Sequence, residues 1–151
     1  MPDLNMLNSQ IRQLQATLMR LERERAVVRK QITREEKKEA EATDAIRRAE
    51  AISSQFREHQ ARRRATVDRI KGTAGLTKMA SAVARELGPV INSSNATVFE
   101  RSGNEAIQAA TSERSRAKRE ISRLWSRYNN LGQQIEQVQQ QIRQVQLQMM
   151  G

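Results

Sequence analysis

The chain has 151 residues, a formal net charge of +10, 29% charged residues and only 3% aromatic residues. This composition argues against a compact globule and favours an elongated helical protein in which each helix buries one narrow stripe. The lack of cysteine excludes disulfides and thiolate metal sites, and no run approaches the roughly 20 apolar residues of a membrane span. The N-terminus also lacks a signal-peptide pattern, so we expect a cytoplasmic protein, or one secreted without a cleaved signal.

The first predicted element is a long helix over residues 3–71, which contain neither glycine nor proline. Steps of three and four residues keep one heptad frame throughout, which predicts a left-handed coiled coil. Asp3 is expected to cap the helix. The seam carries Arg25, Glu35, Glu39, Ser53, Gln60 and Arg63 among its apolar positions. Residues 33–63 are therefore the stretch that most needs a partner chain. The apolar seam positions of the first arm are Leu4, Leu7, Ile11, Leu14, Leu18, Leu21, Val28, Ile32, Ala42, Ile46, Ala49, Phe56, Val67 and Ile70.

A tip segment is predicted over residues 72–103. Gly72 and Gly75 should end the first arm. Residues 76–87 are predicted as a short amphipathic helix, and residues 90–99 as a loop in preference to a β-hairpin. Ser102 and Glu105 match the capping box S-x-x-E, which places the start of the next helix near residue 104.

The second arm, residues 104–149, keeps its own heptad frame, with Arg114 as the only charged seam residue. Two heptad arms of unequal length predict an all-α fold: a long antiparallel coiled-coil helical hairpin, with a short helix and a loop at the tip, in a single elongated domain 1–151. If the shorter arm folds straight back, the stripe from Leu4 to Leu21 overhangs unless the arms bend, and an overhanging stripe is a docking surface. The seam of the second arm is Ile107, Ala110, Arg114, Ala117, Ile121, Leu124, Tyr128, Leu131, Ile135, Val138, Ile142, Val145 and Met149.

No residue pattern supports catalysis, cofactor binding or metal binding, so the chain is expected not to be an enzyme. The single histidine, His59, has no second ligand one helical turn away, and metal sites and histidine-based triads both need such partners. Trp125 and Tyr128 have two interpretations: packing against the opposite arm, which we favour, or an exposed anchor for a partner.

Nucleic-acid binding is a weaker hypothesis that depends on the sequence pI of about 11.1. The basic residues are interleaved with acidic ones, and the few aromatic residues do not alternate with the basic run at Arg62–Arg64. A helical protein is the favoured partner. The residues predicted to bind it are Leu4, Leu7, Ile11, Leu14, Leu18, Leu21, Leu76, Met79, Val83, Leu87, Trp125 and Tyr128.

The layout resembles the small helical accessory proteins of LXG toxins in bacterial type VII secretion, which share the architecture of WXG-type helical hairpins. The residues that carry the resemblance are Val67-x-x-Ile70, Lys78-Met79-Ala80 with Ala84 and Leu87, Lys118-Arg119-Glu120-Ile121, Leu124, Tyr128-Asn129, Leu131 and Gln134-Ile135.

This resemblance implies a targeting chaperone that binds the helical N-terminal region of a toxin, together with a further small helical partner. The chain departs from the pattern in two ways: Trp125 is followed by Ser126-Arg127 and not by a W-x-G turn, and Tyr128 lacks the acidic residue of the export motif. Two alternatives stay open, a self-associating structural coiled coil of a phage or secretion assembly and a basic nucleic-acid-binding coiled coil.

Overall fold

Two long helices make up the computed structural model, which describes residues 3–73 and 94–151. Helix α1 spans Leu4–Thr73 and helix α2 spans Ser94–Met150. The two helices pack against each other as an all-α helical hairpin, as the heptad frames predict. The predicted short helix over 76–87, with Leu76, Met79, Val83 and Leu87, lies outside the described residues.

The heptad seam predicted for both arms is confirmed by burial. Every buried side chain of the described residues falls on a predicted seam position, in α1 and in α2 alike. The buried side chains are Leu7, Leu21, Val28, Ile32, Ala42, Ile46, Ser53, Gln60, Val67, Ala117, Leu124, Leu131, Ile135 and Val138.

The N-terminal end of α1 has the predicted cap. The backbone N–H of Asn5 donates to the Asp3 carboxylate at 3.0 Å, and the N–H of Leu7 donates to the Asp3 carbonyl at 3.0 Å. A side-chain oxygen thereby satisfies one of the backbone donors that a helix leaves unpaired at its start.

The predicted start of the second helix was wrong. Helix α2 begins at Ser94, so residues 94–99 are helical and not a loop, and the helix continues through Ser102 and Gly103. An S-x-x-E sequence fits the interior of a helix as well as its start, and Phe99 gains a ring contact with Phe56 of α1 from the extra turns.

The structure divides into two compact units whose boundaries fall inside both helices. The terminal unit comprises Met1–Glu39 and Ser115–Gly151, and the central unit comprises Ala40–Arg114. The hydrophobic core lies in the terminal unit, where Leu21, Val28 and Ile32 of α1 pack with Leu124, Leu131, Ile135 and Val138 of α2. In the central unit, Ile46 and Val67 are buried together with the small Ala42 and the polar Ser53 and Gln60.

Candidate partner-binding surface

The leucine stripe at the start of α1 does not overhang, contrary to expectation. Leu7 and Leu21 are 5% and 4% exposed, and Leu14 and Leu18 pack against the core of the terminal unit. Helix α2 covers this stripe because it runs antiparallel to α1 and extends to Met150: a groove brings Leu14 and Gln10 beside Val145 and Gln148. Among the predicted residues here, only Leu4 is exposed, and Ile11 is half-buried. The stripe therefore offers a partner far less surface than the sequence suggested.

Trp125 and Tyr128 of α2 lie in an aromatic–arginine cluster with Arg25 and Arg29 of α1. The guanidinium of Arg25 lies 4.1 Å from the centre of the Tyr128 ring, and that of Arg29 lies 4.9 Å from the centre of the Trp125 ring. The two rings meet edge to face at 5.3 Å. Both contacts are in the range of cation–π attraction. These aromatic side chains are therefore engaged by the opposite helix, as core packing predicts.

Gly132 provides the space into which the Arg25 side chain fits. A Cβ atom at position 132 would lie 2.9 Å from Nη2 and 3.2 Å from Cζ of Arg25. The guanidinium thus rests against the bare backbone of α2, while Nε of Arg25 is buried without a hydrogen-bond partner among the described residues. A glycine inside a helix costs about 1 kcal/mol relative to alanine, and here it admits a seam arginine.

The central unit has four apolar side chains at or near its surface, Ile52 and Phe56 of α1 and Val98 and Phe99 of α2, which together are called the central patch. The rings of Phe56 and Phe99 lie 4.4 Å apart and are tilted by 36°. Phe99 is nevertheless 42% exposed, and Ile52 and Val98 are 54% and 55% exposed. Ile52 and Phe56 are one turn apart on α1 and therefore share a face.

The seam beneath the central patch is polar. Ser53 and Gln60 are buried, and Oε1 of Gln60 has no hydrogen-bond partner among the described residues. A buried polar atom without a partner costs free energy. The central unit therefore combines a weak core with uncovered apolar side chains, in the stretch that the sequence marked as needing a partner.

Most of the net positive charge lies in the terminal unit, which carries 15 of the 27 basic residues and 8 of the 17 acidic residues, or +7 of the net +10.

Glu120 shows how the basic residues of this unit affect a neighbouring carboxyl group. Its hydrogen bond from Arg123, helped by the positive charges of Arg123, Arg116 and Lys38, holds the pKa of the Glu120 carboxyl below its ordinary value of 4.5. The same contact raises the pKa of Arg123 above its ordinary value.

The described residues offer no arrangement typical of an enzyme site. They contain no group of three or more histidine, cysteine or acidic side chains placed to hold a metal ion, and His59 is exposed. Several ion pairs among the described residues join neighbours on one helix, such as Arg47 with Asp44 at 2.6 Å. Neither described helix has a segment long and apolar enough to cross a membrane.

Two features were missed from the sequence. The first is the contact between Arg25, a charged seam residue of α1, and Gly132, which lies outside the seam of α2. The sequence does not show that these two residues are neighbours, because that depends on how the two arms align. The second feature is an open groove on α1 between Met19 and Val27. These residues lie outside the seam, so the heptad frame did not select them, although two large apolar side chains on an outer helix face are themselves a signal.

Comparison of the chain with protein-family models, with curated proteins and with solved structures finds no match. Similarity therefore assigns no family, and the resemblance to LXG accessory proteins stays a hypothesis.

Proposed function

We propose that the chain is a non-enzymatic helical adaptor whose central patch packs against a helix of a partner protein. The observation that carries this proposal is the exposure of Ile52, Val98 and Phe99 next to a seam that buries Ser53 and Gln60. Exposed apolar patches mark interaction surfaces, and the contact between Phe56 and Phe99 joins the α1 and α2 parts of this one. An amphipathic helix is the partner element that fits the side of a helical hairpin.

The energetics favour a partner that covers the central patch. Burying the exposed half of each of three large apolar side chains contributes roughly 1 kcal/mol apiece. The seam of α1 is already occupied by α2, so the partner's helix packs against the outside of the hairpin as a further helix and does not replace α2.

The specific partner we propose is the helical N-terminal region of an LXG toxin, with the chain acting as its targeting chaperone in type VII secretion. The support is the sequence resemblance in the second arm and at the end of the first. The residues of that arm which carry it, such as Leu124 and Leu131, are buried in the core. They therefore support a shared hairpin scaffold, and the exposed side chains would set the choice of partner.

The test is co-expression of the full chain with such a toxin region, followed by light scattering on the purified material. We expect a discrete hetero-complex, and we expect Phe99→Glu to weaken it at least about tenfold, which corresponds to 1.4 kcal/mol. The matched control is Ala51→Glu, which introduces the same charge at an exposed position of the same unit. Circular dichroism of each variant alone establishes that the helices persist.

Other outcomes would contradict the adaptor proposal. If the chain alone forms a discrete homo-oligomer that Phe99→Glu dissociates, the central patch joins copies of the chain and the structural coiled-coil alternative is correct. If Phe99→Glu and Ala51→Glu behave alike in both assays, the central patch binds neither a partner nor a second copy.

A further inference from the structure

An open groove runs along the outer face of α1 in the terminal unit, apart from the central patch. Its volume is about 450 Å³, and its apolar lining includes Ala16, Met19 and Val27. Met19 and Val27 are 53% and 54% exposed, whereas Val28 beneath them is 2% exposed and belongs to the core. The groove is thus an apolar strip that joins the hydrophobic core to the surface.

Arginine side chains form the rim of this groove. Arg20 and Arg23 of α1 and Arg127 of α2 line it, and Glu24 is the acidic residue among the described lining residues. All three arginines are exposed, and none forms an ion pair with a described acidic residue. In contrast, Arg123 in the same unit is bound to Glu120. The rim therefore holds three guanidinium groups that can donate two parallel hydrogen bonds to a carboxylate, in the planar geometry that arginine prefers.

We propose that this groove binds an acidic amphipathic helix of a partner protein. Met19 and Val27 are separated by two helical turns, or about 12 Å at 1.5 Å per residue. A helix lying alongside α1 presents apolar side chains at positions i and i+7 with nearly the same spacing, on the order of 10 Å. Aspartate or glutamate side chains that flank this stripe reach Arg20, Arg23 and Arg127.

Two features of the terminal unit argue for an acidic protein helix over other occupants. A second copy of the chain would bring another strongly basic unit to the groove, and like charges across an interface cost several kcal/mol. Single-stranded nucleic acid needs free aromatic faces for base stacking, but one face of Trp125 and one of Tyr128 are occupied by Arg29 and Arg25, and both side chains are half-buried. The apolar side chains between the arginines offer no hydrogen-bond donor to a phosphate backbone, whereas they match the apolar stripe of an amphipathic helix.

This inference goes beyond the adaptor proposal, because the groove and the central patch lie in different units and share no residue. The experiment is a selection from a displayed library of helical peptides, about 20 residues long, whose surface charges vary freely, against the full chain. We expect the selected peptides to carry an apolar stripe flanked by aspartate and glutamate. Their affinity is then measured by fluorescence anisotropy on synthetic copies.

Variants of the groove provide the decisive comparison. Val27→Glu and Arg127→Glu should each weaken the selected peptides at least about tenfold, whereas Val98→Glu in the central patch and Arg143→Glu on α2 should change the affinity less than about twofold. These controls match each change in chemistry, and Val27, Val98, Arg127 and Arg143 are all exposed, so each variant should fold. Circular dichroism checks the helices.

Three results would overturn the groove proposal. One is the absence of any binding peptide, or the selection of neutral or basic peptides. Another is an acidic peptide whose binding survives Val27→Glu; if Val98→Glu abolishes it instead, the central patch is the binding surface and the adaptor proposal stands. The third is competition by duplex DNA that Arg127→Glu removes and Val27→Glu does not, which would identify the rim as a phosphate-binding site.

Discussion

Replacing Gly132 by alanine tests whether Arg25 and Gly132 form one structural unit. In an ordinary helix interior this change stabilises by about 1 kcal/mol, because alanine is the better helix former. Here the new Cβ would lie 2.9 Å from Nη2 of Arg25, so the guanidinium must shift, and we expect the shift to disturb its contact with the Tyr128 ring, whose centre is 4.1 Å from it. Losing a partly exposed cation–π contact costs about 0.5–1 kcal/mol. We therefore expect Gly132→Ala to leave the free energy of unfolding nearly unchanged.

The same substitution in an Arg25→Ala background should recover the full gain of about 1 kcal/mol, since no side chain then occupies the space. Urea unfolding followed by circular dichroism gives the four free energies of this double-mutant cycle. The control is Gly103→Ala, whose Cβ would meet Ser53 Oγ at 3.1 Å in the central unit, so its effect should not depend on Arg25. If Gly132→Ala stabilises both backgrounds equally, Arg25 does not rest on Gly132 and the reasoning is refuted.

Three further predictions concern single side chains. Gln60→Leu should raise the free energy of unfolding by about 1 kcal/mol, because it removes a buried oxygen without a hydrogen-bond partner; a loss in the same urea assay would mean that Oε1 is satisfied. Ile32→Ala should cost about 2–5 kcal/mol, since this side chain is 0% exposed, whereas the exposed Ile52→Ala should change stability by less than about 0.5 kcal/mol. Arg123→Gln should raise the pKa of the Glu120 carboxyl towards 4.5 in an NMR titration. Since the pKa of Glu120 in the folded chain lies below its pKa in the unfolded chain, this ion pair stabilises the fold above pH 4.5, and its contribution disappears as the pH falls through the folded pKa. If the Glu120 titration is the same in the variant, Arg123 is not the main cause of the lowered pKa.

The seam was predictable from sequence because it depends on a local rule. A heptad repeat determines which side chains of a helix face the neighbouring helix. The side chains that this rule predicts are buried, as for Val28, Ile32, Leu124 and Leu131. The start of helix α1 was predictable for the same reason, since the cap formed by Asp3 involves only residues that are close to it in sequence.

Features that join the two arms could not be predicted, because they depend on how the arms align. The start of α2 at Ser94 extends the second arm towards the tip, and its course to Met150 covers the stripe that was expected to overhang. The groove between Met19 and Val27 combines side chains of α1 with Arg127 of α2, and no heptad frame of a single arm contains that information. The identity of a partner stays a prediction, since the bound helix would come from another protein.

The fit of Arg25 against Gly132 has a consequence for the pairing of the two helices in the terminal unit. Helix α2 contains only two glycines, at 103 and 132, so sliding α2 by one heptad would put Trp125 or Gln139 where Gly132 now leaves room for the guanidinium. The contact therefore favours the observed alignment of the helices in this unit over one that is shifted by a heptad.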